Sequence, residues 1–386
     1  MTKPHVLIIG AGFTGVATAH DLALRGCAVT VVERGPLANG TSGRTHGLLH
    51  SGARYAVKDQ ESGVECIREN RILRKIAPQM IEPNGGLFVA LNDEDMAYRE
   101  AFIAGCEQCD IEIEELSREQ ALKLEPALNP KVITAFTVPD GTFDPLRLAQ
   151  AFAASAQKNG AVFHFFTDVT DLLFDGTGRV VGVKVWNRAA DTRGELRADL
   201  VINATGAWAG QVTAMANSQV KVSPTPGVMV AYDKRLCERA INRLNKPGDG
   251  DIVLPQRRMM VVGTTSFNVE DPDYVPVYAE HVRLMLERGA ELLPALAQTR
   301  ERGAYMASRP LIASEAPGRS ISRTFKCYDH KEVDNIEGFV TITGGKATTL
   351  RLMAEKVTDM ACAKLGIDTP CTTAEVPLRS YREFAA

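Results

Sequence analysis

A chain of 386 residues with 45% hydrophobic and 24% charged side chains has ordinary globular composition and apolar material for two domains. A formal net charge of −3 without any dense basic run speaks against nucleic acid as a ligand. No apolar stretch reaches the ~18–20 residues of a membrane helix, and the run at 6–9 is too short for a signal-peptide core.

The chain begins with "HVLIIGAGFTGVATAHDLALRGCAVTVVER". Val6 to Ile9 form an apolar run, the chain turns at glycines, and helical periodicity follows through Ala17, Leu22 and Leu24. A second β-rich run, Val29 to Val32, completes a β-α-β unit. Gly10, Gly12 and Gly15 form G-x-G-x-x-G at the strand–helix turn. The first permits the tight turn, the second lets backbone approach a pyrophosphate, and the third lets helix lie on strand. Glu33 ends the second strand at the ~20-residue distance of a ribose-binding acid. The helix N-terminus offers N–H groups and partial positive charge to phosphate. A dinucleotide therefore binds, and this motif alone does not choose between NAD and FAD.

Next comes "TSGRTHGLLHSGARY", residues 41–55, basic and rich in glycine. A helix is expected over 60–80, a strand over 85–91 and a helix over 93–109. The last contains Cys106 and Cys109. With no second pair nearby, they read as buried thiols rather than a metal site, and the eight scattered cysteines fit a reducing cytoplasm. "SREQ" at 117–120 has the form of a capping box. Asp144 is a plausible N-cap for a helix that Gly160 stops. Two strands around a glycine-rich turn follow to about 187, and "ADLVINATGAW" is a buried strand breaking at glycine.

From about 215 to 330, short β-rich runs alternate with Pro, Gly and charged loops, around one long helix at 278–293. The nucleotide-domain texture then returns in "GFVTITGGKATTLRLMAEKVTD". The "NATGAW" break, where small residues let backbone meet cofactor, tips the dinucleotide towards FAD. The helix beginning near Ala347 or Thr348 can point at the pyrimidine edge of a flavin, where negative charge appears on reduction.

These stretches, with "THGLLHSGARY", "VPDGTFDP", "SRPL", "GRSISR" and "CTTAEVPL", resemble the FAD-dependent glycerol-3-phosphate dehydrogenases along nearly the whole chain. The catalytic chain of the anaerobic enzyme, within the D-amino-acid-oxidase-like flavoproteins, is the nearest likeness. Such catalytic chains continue into a cysteine-rich region, whereas this sequence stops at Ala386, which leaves its electron route open. The resemblance implies an α/β fold. An FAD-binding Rossmann-like domain of the glutathione-reductase/D-amino-acid-oxidase type (1–80, 140–214 and 335–386) interleaves with a mixed-sheet α+β substrate domain (81–139 and 215–334).

It also implies a site. Thr41, Ser42 and Arg44 would lie by the phosphates, and Thr45, His46, Gly47 and Leu49 by the isoalloxazine. Thr14, Arg34, Val169, Ala204, Thr205, Gly206 and Trp208 join the cofactor set. So do Gly344, Gly345, Lys346, Ala347, Thr348 and Thr349. Arg54, Arg309, Arg323 and Lys346 would clamp a phosphorylated substrate, with Tyr55 beside them. His50 is the candidate base, or else a residue that only bonds the flavin or orders its loop. His46 is a flavin contact or an attachment point. The implied reaction is oxidation of sn-glycerol 3-phosphate to dihydroxyacetone phosphate. Electrons would pass to a quinone or a partner subunit, in the cytoplasm or at the inner face of the cell membrane. The alternative is oxidation of another small anionic hydroxy or amino compound.

Overall fold

A computed structural model describes residues 3–312 and 324–385. The opening β-α-β unit forms as the sequence dictates: strand His5–Ile9, helix Phe13–Leu24 and strand Ala28–Val32, the strands parallel. They occupy the middle of a six-stranded sheet. Its order is 325–329, 339–344, 200–203, 5–9, 28–32 and 162–164, parallel apart from the first strand. Val6, Ile8, Val29 and Val31 turn to one face, where helices Phe13–Leu24, Pro145–Lys158 and Leu350–Leu365 cover them. Leu7, Ile9 and Val32 turn to the other, against an antiparallel three-stranded sheet over 167–197. Burial on both faces explains why these strands read as unbroken apolar runs.

The second core is built on an eight-stranded mixed sheet, ordered 301–312, 222–232, 259–263, 252–256, 240–243, 86–90, 134–138 and 114–117. Helix Ala279–Leu292 packs on it through Met285 and Leu292. Helix Gln60–Ile76 stands between the two cores.

Local signals hold at several places. Ser117 and Gln120 make the expected capping box, and the Asp144 side chain accepts the Arg147 N–H at 3.0 Å. Three differences appear. The helix expected over 93–109 is two, Asp93–Ala97 and Arg99–Gln108, joined at Tyr98. The one expected over 60–80 ends at Ile76, before Pro78, which starts a short 3-10 turn. A third strand, Thr192–Arg197, adds to the pair around the glycine turn. Its residues are almost all exposed and polar, so no apolar alternation marks it.

Candidate functional site

One cavity of about 1150 Å³ runs from the first glycine turn to the edge of the eight-stranded sheet. That exceeds the ~300–1,000 Å³ of ordinary small-molecule pockets and leaves room for a dinucleotide beside a small substrate. At one end, Gly10 has φ +102°, and a Cβ there would lie 2.9 Å from the Ala204 carbonyl oxygen. The two glycine-marked strand ends, 10 and 204–206, therefore meet at backbone distance. Glu33 reaches back under the turn: its two oxygens accept the Ala11 N–H at 2.9 Å and the Gly35 N–H at 2.8 Å. A carboxylate has about four acceptor sites, so capacity remains for hydroxyls. A Cβ on Gly206 would meet nothing within 4 Å, so this wall is open to a ligand. These features fit FAD: a helix N-terminus with bare glycine backbone, a carboxylate at the second strand end and a cavity of sufficient length.

Most of the residues expected at the cofactor line the cavity. Gly10, Gly12, Thr14, Glu33 and Arg34 do so, as do Thr41, Ser42, Arg44, Thr45 and His46. Val169, Ala204, Thr205, Gly206 and Trp208 add one side, and Gly344, Gly345, Lys346 and Ala347 another. Five others stand behind the wall. Gly15 is pressed on the Gly10 carbonyl, where a Cβ would lie 1.9 Å from the oxygen. Gly47, at φ +80°, is packed against Gln256. Leu49, Thr348 and Thr349 are fully buried. Thr348 nevertheless matters, because its hydroxyl accepts the His50 N–H at 3.0 Å. Arg323 lies outside the described residues.

The far end of the cavity gathers His46, His50, Arg54, Tyr55, Arg309 and Lys346 from separate parts of the chain. His50 is held through its backbone, since Asn70 Nδ2 donates to its carbonyl at 3.1 Å. Its ring meets His46 and Tyr55 edge-on, at 6.1 and 5.3 Å between centroids. His46 Nδ1 accepts the Leu48 N–H at 3.1 Å, so a neutral ring carries its proton on Nε2. Burial first, then the Arg309 and Arg54 charges, push His46 down to about 3, which keeps it neutral.

Arg54, with 8% of its side chain exposed, donates through Nη2 to Asp251 at 3.2 Å and to the Gly248 carbonyl at 3.1 Å. Its Nη1 is buried with no hydrogen-bond partner among the described residues. A buried donor left so costs ~1–3 kcal/mol unless a ligand supplies the acceptor. Arg309 crosses to the neighbouring strand, donating to the carbonyls of Thr225 (3.3 Å) and Thr265 (3.1 Å) and to the Thr264 hydroxyl. Gly227 makes room for it, since a Cβ there would sit 2.7 Å from Arg309 Nη2. Lys346 donates to Ser62 Oγ at 2.9 Å and pairs with Glu65 at 3.2 Å, while lying 5.3 Å from the Tyr55 ring centre.

Sequence reasoning missed Gln256, Gly227 and Asp273. Gln256 Nε2 donates to the His46 carbonyl at 2.7 Å and holds the loop from 210 residues away. Asp273 accepts from Arg34 at 2.7 Å and from the Trp208 indole at 2.9 Å, closing the nucleotide end with a segment of the other core. Neither residue sits in a motif; Gly227 opens the β-rich run 227–232, where nothing local announces Arg309 as its neighbour.

Buried imidazoles give the fold a pH dependence. His20, 1% exposed beneath Phe152, is pushed down to about 4 by burial. Its folded value lies below the unfolded ~6.5, so the unfolded chain takes the proton first. The stabilisation is whole above ~6.5 and is lost as pH falls towards the folded value. Thermal melts at pH 7 and pH 5 should show His20→Leu losing about 1–2 kcal/mol less than the parent over that interval. Equal losses would contradict this account of the His20 site.

Residues 5–360 match the family of FAD dependent oxidoreductases known as DAO. The A1 chain of the anaerobic glycerol-3-phosphate dehydrogenase of Haloferax volcanii is 45% identical, over 99% of this chain and 67% of its own length. The corresponding A chain of the Escherichia coli K12 enzyme is 44% identical, over 98% of this chain and 71% of its own. Among solved structures, the glycerol-3-phosphate dehydrogenase of Bacillus halodurans complexed with FAD superposes with a TM-score of 0.76 at 25% identity, covering 98% of this chain and 68% of that one. The FAD-bound L-alpha-glycerophosphate oxidase of Mycoplasma pneumoniae, 21% identical, has the same fold at a TM-score of 0.77, with 98% and 100% covered. With the dinucleotide turn and the long cavity, these likenesses place the chain in the DAO family of FAD-dependent oxidoreductases.

Proposed function

We propose that the protein oxidises sn-glycerol 3-phosphate to dihydroxyacetone phosphate with FAD as its resident cofactor. One observation carries this reading: a continuous cavity joins a dinucleotide turn to a cluster of cations in which Arg54 Nη1 is buried and uncommitted. The names of the relatives agree with it.

FAD, when bound, supplies the acceptor for the hydride that leaves the carbinol carbon. The chain supplies the rest. His50 takes the hydroxyl proton, its position fixed by Thr348 and Asn70 on either side of its backbone. His46, neutral, offers Nε2–H as a donor and no charge. Arg54, Arg309 and Lys346 hold the phosphoryl group, Arg54 through its uncommitted Nη1. Tyr55 packs beside His50 and Lys346. The FAD domain in this reading takes 1–80, 140–214 and 335–386, and the substrate domain 81–139 and 215–334. Electrons pass to a quinone or a partner subunit, in the cytoplasm or at the inner face of the cell membrane; the relatives, named as one component of a multi-component enzyme, support the partner subunit. Among the described residues, no helix is long and apolar enough to cross that membrane.

Anaerobic mixing of the FAD-loaded protein with sn-glycerol 3-phosphate should bleach the flavin; hydroxy acids and amino acids should not. Bleaching by one of those instead, with none by glycerol 3-phosphate, would overturn the substrate. Arg309→Ala and Lys346→Ala should each raise KM by roughly 10–100-fold, the worth of one charge-assisted hydrogen bond. Unchanged KM in both would remove the clamp.

A further inference from the structure

Two of the cavity's cations bring their own counter-charges: Arg54 rests on Asp251 and Lys346 on Glu65. A phosphate dianion calls for positive charge beyond those neutral pairs, and two further lysines add to that of Arg309.

Lys58 closes the turn that carries Arg54 and Tyr55, its N–H donating to the Tyr55 carbonyl at 3.0 Å. Lys246 stands on loop 244–251, whose Gly248 carbonyl and Asp251 carboxylate hold Arg54 Nη2. Both lysines are exposed, and both line the cavity. Their ammonium groups are in contact with each other, and loss of water together with that contact pushes Lys58 below the ordinary lysine range. Two like charges in contact repel, by ~1 kcal/mol at 4 Å even in bulk water. Flexible lysine stems can relieve that repulsion by moving apart, or an anion can relieve it by lying between them. Arg54, held by the Lys246 loop through Nη2, lines the same cavity and keeps Nη1 uncommitted. Asp59, the acid next to Lys58, turns towards helix Gln60–Ile76, where it accepts from the Ser62 N–H at 3.2 Å and hydroxyl at 2.9 Å.

We propose that Lys58 and Lys246 extend the clamp of Arg54, Arg309 and Lys346 at the phosphoryl end of the substrate, and that these two lysines set the preference for a phosphate dianion over a carboxylate. The proposal rests on the phosphorylated substrate argued above. It also orients the substrate, with its phosphoryl group at the mouth and its carbinol carbon inward by His50.

The test compares the FAD-loaded parent with Lys58→Gln, Lys246→Gln and the double variant, and with Lys158→Gln as a remote charge control. KM and kcat for sn-glycerol 3-phosphate are read together with the affinity for inorganic phosphate, titrated directly into the resting protein. The double variant should raise KM about 10-fold, weaken phosphate by a similar factor and leave kcat within about twofold. Lys158→Gln should match the parent. Unchanged KM and phosphate affinity in the double variant would overturn the subsite, as would an equal effect in Lys158→Gln. If glycerol 3-phosphate fails to reduce the flavin while the double variant still loses phosphate binding, the subsite stands and the substrate assignment falls.

Discussion

Gly15→Ala should give protein that folds but purifies almost without flavin. The added Cβ would lie 1.9 Å from the Gly10 oxygen, a clash between backbone atoms that no rotamer relieves. Gly10 cannot yield, because its N–H is bonded to the Val32 carbonyl at 2.8 Å and its Cα faces the Ala204 carbonyl. The helix must therefore lift off the strand, and its N-terminus leaves the place where phosphate would bind. Overpacking of this kind costs ~1–3 kcal/mol. Directed at the cofactor seat, that is a loss of about 10–100-fold in FAD affinity. The flavin-to-protein absorbance ratio and an FAD fluorescence titration of the apoprotein measure it. Gly176→Ala, in an exposed turn with nothing within 4 Å, should keep a full complement. A fully yellow Gly15→Ala protein would mean that the dinucleotide sits elsewhere.

Glu69→Ala should cost more in stability than any change at the surface. Arg351 is 1% exposed and Glu69 not at all, and they share two bonds, Nε to Oε2 at 2.8 Å and Nη2 to Oε1 at 2.5 Å. Glu355 and Thr373 complete the guanidinium's partners. Removing Glu69 strands part of a buried charge, at ~3–5 kcal/mol. The melting midpoint should fall by about 4–6 °C. Glu69→Met combined with Arg351→Met should recover most of it, because no charge then stays fully buried and Glu355, which loses the guanidinium, is partly exposed to water. A single variant melting within about 2 °C of the parent would show that the pair contributes little. The same pair ties helix Gln60–Ile76, which holds Lys346 through Ser62 and Glu65, to the helix that begins at Leu350.

How much of this was legible in the sequence depends on the distance over which each constraint acts. The glycine turn was legible because Gly10, Gly12, Gly15 and Glu33 act within one β-α-β unit. The fold class followed from that unit and from its texture returning near 200 and 340. The gathering of His50, Arg54, Arg309 and Lys346 in one cavity came through family resemblance, since no local spacing joins them. Strand Val222–Tyr232 was legible in its second half, the β-rich run 227–232, and not in its first. Pro224 and Pro226 interrupt its first half. Beyond the strand at 301–312, their other side meets the irregular segment 265–269, whose Val269 and Phe267 N–H groups donate to the two proline carbonyls and require no N–H in return. Gln256 and Asp273 were illegible because each acts on partners more than 60 residues away, and neither position carries a local signature. Lys58 and Lys246 looked like ordinary surface charges until the fold set them side by side.

The six-stranded sheet has a consequence for how the molecule is made. Strand His5–Ile9 emerges from the ribosome well before its neighbour at 200–203 and the next strand at 339–344. At roughly 5–20 residues per second, the interval before the last of these is on the order of 20–70 s. The edge of strand 5–9 stays unpaired until 200–203 is made, roughly 10–40 s, and the edge of 200–203 then waits for 339–344, the kind of surface that chaperones shield and that aggregates when they do not. The cofactor seat, whose walls come from segments as far apart as 9–14 and 344–353, is complete only once the later of them has been made, and flavin loading must wait for it.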